Sequence, residues 1–337
     1  MNRPASLVSD AAAATAPVVC AHIGWGMLEV TGDDALEFLH GQLSSDVQSL
    51  PPGRGQYWSY NSPKGRMLAN GALWRADAEG SRRVLLLLAA DLAEAIRRRL
   101  SMFVLRSRVL VQDVTNRDAL LGVAGAGSIE AAREALGVQA LPFAVKGFNG
   151  NANALGLPDG RVVVSCPSAN APIIHAALAR HAITGNAELW RWFGIAAGVP
   201  SITAATSDMF IPQAANWDVL DGINFQKGCY PGQEIIARTQ YLGRLKERLF
   251  AFHTDVEAVH AAARLYSASF GNDQPCGTVV DAAPASTGGS DLLAVVQQSA
   301  VDADDVRLEM PDGAPLARRP LPYTVPKASA PRRPDKL

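Results

Sequence analysis

Apolar positions along this chain recur with two periods, and the switches between them outline its elements. Residues 27–31 predict a short strand. Leu36, Leu39 and Leu43, three and four apart, predict a helix for which Asp33 and Asp34 offer caps. Residues 56–60 and Met67–Arg75 predict the two strands of a hairpin, joined by the turn chemistry of Asn61-Ser62-Pro63-Lys64-Gly65. Arg83–Ala89 predicts a strand, Asp91 a cap for a helix ending near Met102, and residues 109–114 another strand. A second unit loosely echoes this order, with a strand at 119–124, a helix at Ser128–Leu136, a strand at 161–165 and a helix at 172–183 that carries Pro172 in its first turn. Beyond about residue 246 the helical period fades. Short apolar runs at 249–253, 276–280, 292–297 and 306–309 predict a small all-β unit, a barrel. Locally paired strands with helices between them predict an α+β architecture in place of a doubly wound sheet.

Composition narrows the class. The 337 residues are 48% hydrophobic and 19% charged, which is globular and long enough for more than one domain. Lys and Arg number 31 against 32 Asp and Glu, so a net charge of −1 exerts no general pull on nucleic acid or a membrane surface. The basic run Arg97-Arg98-Arg99 reads as the solvated face of a helix. Four cysteines exclude a disulfide scaffold and suit a reducing, cytoplasmic compartment. No apolar run approaches the ~20 residues that span a bilayer, and the longest, 84–90, is strand-sized. Six histidines are scattered without ligand spacing, so no metal site is expected. The expected organisation is a disordered leader at 1–18, α+β units at 19–115 and 116–245, an all-β unit at 246–324, and a proline-rich basic tail at 325–337.

One segment differs from the rest. Lys227-Gly228-Cys229-Tyr230-Pro231-Gly232-Gln233-Glu234 places a cysteine in a glycine-bracketed turn, and Glu234 opens a short helix. Two readings are open for Cys229. It is a reactive thiol, favoured as the thiolate by Lys227 and by the following helix start, or a small apolar packing residue, the usual fate of a free cysteine. Cys20, Cys166 and Cys276 sit in apolar runs and read as packing residues. A weaker motif, Gly122-Val123-Ala124-Gly125-Ala126-Gly127, follows a strand and precedes a helix as a dinucleotide loop would, but Glu130 stands where the last glycine belongs, leaving an ordinary turn.

Residues 227–234, with Phe210-Ile211-Pro212-Gln213 before them and Ala237-Arg238 after, resemble the signature of the YgfZ-type folate-binding proteins, relatives of the glycine-cleavage T protein (aminomethyltransferase). Residues 28–34, Phe38-Leu39-His40-Gly41-Gln42 and Ser62-Pro63-Lys64-Gly65-Arg66 resemble the opening motifs and hairpin turn of the same superfamily. The resemblance implies an aminomethyltransferase-like ring of two ferredoxin-like units plus a C-terminal β-barrel around a folate site. It implies that Trp25 and Trp190 bind tetrahydrofolate or a derivative, with Trp192 as the alternative to Trp190; an indole face suits a flat pterin. A carboxylate suits the two N–H donors of the amino-pyrimidine edge, for which Glu188 and Glu234 are candidates. The anionic tail calls for a cation, for which Arg75 and Arg238 are candidates.

The chain departs from the transferases at Asn70, where their pattern carries an acting aspartate. An amide cannot ionise, which argues against aminomethyl transfer. The thiol of Cys229, with Lys227 beside it, is absent from the transferases at the matching position. The family is implicated in maturation or repair of iron–sulfur enzymes, including those that modify tRNA. The resemblance therefore implies a folate-binding accessory protein with iron–sulfur client enzymes or assembly proteins as partners and no direct nucleic-acid or membrane contact. The alternative is a folate-dependent aminomethyl- or methyltransferase.

Overall fold

The structure, a computed structural model, describes residues 15–77, 82–149, 151–241, 245–271 and 274–326. The leader and tail readings for residues 1–14 and 327–337 lie outside the described residues. The first part of the chain runs β1 (Val18–Cys20), β2 (Trp25–Thr31), α1 (Ala35–Gln42), β3 (Gly55–Asn61), β4 (Met67–Arg75), β5 (Arg83–Ala89), α2 (Ala93–Ser101) and β6 (Leu110–Asp113). Then follow β7 (Asp118–Ala124), α3 (Ser128–Leu136), β8 (Val145–Phe148), β9 (Ala152–Gly156), β10 (Val162–Pro167), α4 (Ala171–Leu178), β11 (Ile183–Gly185), α5 (Ala187–Ala196) and α6 (Gln233–Tyr241). The last part comprises β12 (Glu247–Thr254), β13 (Arg264–Tyr266), β14 (Gly277–Pro284), β15 (Ser290–Gln297), α7 (Gln298–Ala303), β16 (Arg307–Leu308) and β17 (Ala317–Arg319).

Three sheets result, ordered β3-β4-β5-β2-β6, β11-β1-β7-β10-β9-β8 and β16-β13-β14-β15-β12-β17. In the first sheet β5 lies between β4 and β2 with both faces covered, which explains why Val84-Leu85-Leu86-Leu87-Leu88 is a continuous apolar run. In the other two sheets the two-residue alternation divides side chains between two cores. Val162 and Val164 of β10 face α3 and α4, while Val163 joins the central core built around the first sheet. Likewise Phe250 and Phe252 of β12 enter the core of the third sheet, while Leu249 and Ala251 join the central one. Each of the two outer sheets thus turns one face toward the first, and the three converge on a shared interior.

Several local expectations differ in detail. The helix expected at 172–183 ends at Leu178, and Ile183 instead starts β11, which pairs in parallel with β1. Strand β1 itself, which begins at Val18, pairs with β7 in the second sheet. Asp91 does not cap α2; its carboxylate accepts the N–H of Ala204 at 3.0 Å. Asp34 stands at the cap position of α1 without a side-chain cap bond, because its carboxylate is taken by the backbone N–H of Arg108 at 2.8 Å. The C-terminal sheet is curled into a half-barrel and carries one short helix, α7, among its strands.

A three-sheet cavity and a separate cysteine loop

A cavity of about 490 Å³ opens where the three sheets meet. The first sheet contributes Trp25, Tyr57 and Asn70, the second contributes Arg161 just ahead of β10, and the third contributes Asp281 from β14. Helix α5 lays one face along it through Glu188, Trp190, Arg191 and Gly194, spaced as a helix surface requires. Trp190 is 1% exposed and lies so close on β7 that a Cβ on Gly122 would stand 2.4 Å from its ring, so only glycine admits the indole there. Trp25 meets it edge to face, with centroids 5.5 Å apart and planes at 82°, so the two indoles form one continuous wall.

Arg161 stands against that wall. It is 4% exposed, and its guanidinium lies 4.8 Å from the Trp190 centroid and 5.9 Å from that of Trp25. Nε and Nη2 both donate to Asp159, at 2.9 and 2.7 Å, and this pairing raises the arginine pKa against the opposing effect of burial. Nη1 donates to no acceptor among the described residues. Gly194 supplies its space, since a Cβ there would sit 3.0 Å from Nη1. Tyr57 Oη, Trp190 Nε1 and Trp217 Nε1, all on lining residues, are buried without a partner among the described residues.

Asn70 has a defined task. Its amide donates to the Pro200 carbonyl and accepts from the Ile202 N–H, both at 2.8 Å. A carboxylate could perform only the second of these. Asn70 therefore clamps the 200–202 segment along the cavity edge.

The cysteine segment lies elsewhere. Cys229 is exposed, whereas Cys20, Cys166 and Cys276 are buried, and burial pushes their thiols up to about 12, 11 and 11. Lys227 is buried, and its ammonium donates to the carbonyls of His40 and, at 2.8 Å, Leu43, at the C-terminal end of α1 where a cation is favoured. It also rests 4.5 Å from the Tyr230 ring centroid, and burial brings its pKa down to about 8. Asn224 Oδ1 accepts the N–H groups of Gln226 and Lys227, which folds the turn. Gly232, at φ +78°, presses on the hairpin turn so closely that a Cβ would meet the Ser62 carbonyl at 2.4 Å. Gln213 fastens the helix that follows the segment by donating its amide to the Ile236 carbonyl, and Phe210 is itself fixed to β4 through the Met67 N–H, which its carbonyl accepts.

Of the residues singled out by sequence, the cavity brings together Trp25, Trp190 and Glu188, the last of these exposed. Lys227, Cys229, Glu234, Arg238 and Arg75 are absent from its lining. Arg75 is held by Asp77 and the Leu50 carbonyl. Trp192 donates to Asp291 at 2.8 Å and anchors α5 to the third sheet, outside the lining. Arg161 and Asp281 escaped sequence reading. The available signals were a charge directly before the apolar run 162–164 and a lone carboxylate inside the run 279–283.

No family model matches the chain. Its fold is that of the aminomethyltransferases: the glycine cleavage system aminomethyltransferase T from Bartonella henselae superposes with a TM-score of 0.73 over 94% of this chain and 88% of that one, at 16% identity. Sequence comparison is more specific. The tRNA-modifying protein YgfZ of Enterobacter sp. (strain 638) is 32% identical over 309 residues, covering 89% of this chain and 91% of that protein, and the protein of the same name from Serratia proteamaculans (strain 568) is 32% identical over 310 residues with the same coverage. The chain belongs to the YgfZ family.

Proposed function

We propose that this protein binds tetrahydrofolate or a derivative in the three-sheet cavity and supports the maturation or repair of iron–sulfur enzymes, among them enzymes that modify tRNA. The observation that carries the reading is the indole wall of Trp25 and Trp190 with a buried guanidinium beside it, inside a space of pterin scale. The lining fits such a group: flat aromatic faces for the ring, and the buried Tyr57 hydroxyl together with Arg161 Nη1 as donors for a heterocycle rich in acceptors. When bound, tetrahydrofolate supplies a carrier for one-carbon units. The chain's part is to hold and orient it, through Trp25 and Trp190, with Glu188 near the opening. Asn70 does not ionise, and its amide is tied to the Pro200 carbonyl and the Ile202 N–H, so no proton moves at that position and aminomethyl transfer is not expected.

Cys229, exposed on a loop made rigid by Lys227, is the thiol through which client enzymes are served, in the cytoplasm. The curated relatives are named for tRNA modification. An indirect route through the client enzyme suits the near-neutral charge and the pairing of Arg97 and Arg98 with Glu94. Among the described residues no helix is long and apolar enough to cross a membrane.

Tetrahydrofolate titrated into the full chain should quench tryptophan fluorescence saturably, and Trp25→Ala and Trp190→Ala should each lose most of the signal and of the affinity. Unchanged affinity in both variants would remove the folate assignment. In a strain lacking the gene, the wild-type chain should restore iron–sulfur enzyme activity and Cys229→Ser should not; full rescue by the serine variant would show the thiol to be dispensable.

A further inference from the structure

Asp281 is the one acid in the cavity lining that is buried; Asp91 and Glu188 are exposed. It follows the bulge that β14 makes at Val280, pairs with Leu293, and is 5% exposed. The bulge turns it out of the strict alternation of a strand whose neighbours Val279, Val280, Ala282 and Ala283 are all buried and apolar. Its protein partners are few. Oδ1 accepts the N–H of Ala282 at 3.0 Å, and the Arg191 guanidinium stands 3.6 Å away, itself half in solvent. A buried carboxylate is ordinarily matched by full pairing. Glu29 of β2, for example, is held by both Arg83 and Arg117.

The position is also specific. Arg191 and Gly194 lie one turn apart on the α5 face; the first touches Asp281 and the second gives Arg161 Nη1 its space. The cavity face of α5, which also carries Trp190, is therefore bordered by an acceptor at Asp281 and a spare donor at Arg161. A pterin-like ring has a matching edge: adjacent amino and ring N–H donors beside a carbonyl acceptor. A carboxylate takes the two donors and a guanidinium the carbonyl.

We propose that Asp281 is the carboxyl group that binds the amino-pyrimidinone edge of the folate, as the ionised acceptor of two N–H donors. The proposal rests on the folate reading above and moves the edge contact from Glu188 and Glu234 to the C-terminal sheet. Burial pushes the Asp281 pKa up to about 7, against the opposing charge of Arg191. The other charged groups that border the cavity are Arg161, Asp91 and Glu188. Below this pKa the carboxyl carries a proton that must leave to buffer before the oxygens can accept two N–H groups. Binding at pH 6 therefore releases a proton, and apparent affinity follows the ionised fraction.

The test is a fluorescence titration of the full chain with 5-formyltetrahydrofolate, a probe without a titrating group between pH 6 and 8. Wild type is expected to bind ~10-fold tighter at pH 8 than at pH 6, the ratio of ionised fractions for one group titrating near 7. Asp281→Asn, nearly isosteric, should bind at least ~10-fold more weakly than wild type at pH 8 and lose the pH dependence, because it replaces one acceptor by a donor. Arg191→Gln, at the solvent edge of the cavity lining, removes the cation that opposes the Asp281 proton and should move the midpoint to higher pH, a shift that a purely structural role would not produce. Calorimetry at pH 6 in buffers of different ionisation enthalpy should detect the released proton in wild type and not in Asp281→Asn. If Asp281→Asn binds like wild type at both pH values, the assignment of Asp281 is overturned and the folate site stands. If wild type fails to bind at either pH, the folate reading itself falls, and this proposal with it.

Discussion

In the cavity, the charged side chains Arg161 and Asp281 are brought to one place by the second and third sheets, about 120 residues apart in the chain, and each keeps hydrogen-bonding capacity that the protein does not use. In the cysteine loop the arrangement is reversed. Lys227 is buried and committed to two backbone carbonyls, and the thiol two residues on is left outside. The first region is built to receive a group from elsewhere. The second is built to present one on a rigid support. Lys227, read from sequence as an activator of the thiol, is better understood as the post on which the loop stands, although its charge remains close enough to act on Cys229.

The largest effect expected from this contrast is at Arg161. Arg161→Met would leave Asp159 without its partner in a buried setting, at a cost of ~3–5 kcal/mol in denaturant-induced unfolding. A loss below ~1 kcal/mol would show that the pair is solvated and the cavity wall looser than described.

Next comes the acid. The Asp281 pKa is raised on folding, so the folded chain holds a proton that the unfolded chain has released between about pH 4 and pH 7. Its contribution to stability is present at low pH and is lost as pH rises through about 7. Without ligand, Asp281→Asn should therefore gain on wild type between pH 5 and pH 8, on the order of 2 kcal/mol. Parallel stability profiles for the two proteins would contradict the buried, weakly paired setting.

Lys227→Met should cost on the order of 1–2 kcal/mol, because the His40 and Leu43 carbonyls lose their donor, and it should abolish rescue along with the loop geometry. Cys229→Ser, by contrast, should leave the melting temperature unchanged while failing to rescue. A stability loss as large as that of Lys227→Met would mean that the sulfur packs and does not merely stand exposed.

Local elements were well marked in the chain. Met67–Arg75, Arg83–Ala89 and Ser128–Leu136 match their predicted bounds, since period, run length and flanking turn residues act within a few positions. Strands β1 and β11, three residues each, carry no such signal. They exist because Val18 and Ile183, far apart in the chain, pair across a sheet that must first form. Asp91 and Asp34 look like helix caps locally, yet each carboxylate is taken by the backbone of a more distant loop. A distant backbone N–H competes with the cap position for the same carboxylate oxygen, and local propensity does not register that competitor.

The amino-acid sequence by itself determined the α+β plan and the cysteine turn, because hydrophobic period and local turn chemistry act at short range, while the two indoles that border the cavity were singled out by the family resemblance. The folded chain alone decided which charges share that cavity. Arg161 precedes an apolar strand and Asp281 interrupts one, but whether a lone charge faces solvent, a partner or a ligand depends on which sheets converge upon it. That convergence is a property of packing, in which Gly122 and Gly194 leave room for a ring and a guanidinium that no stretch of local sequence specifies.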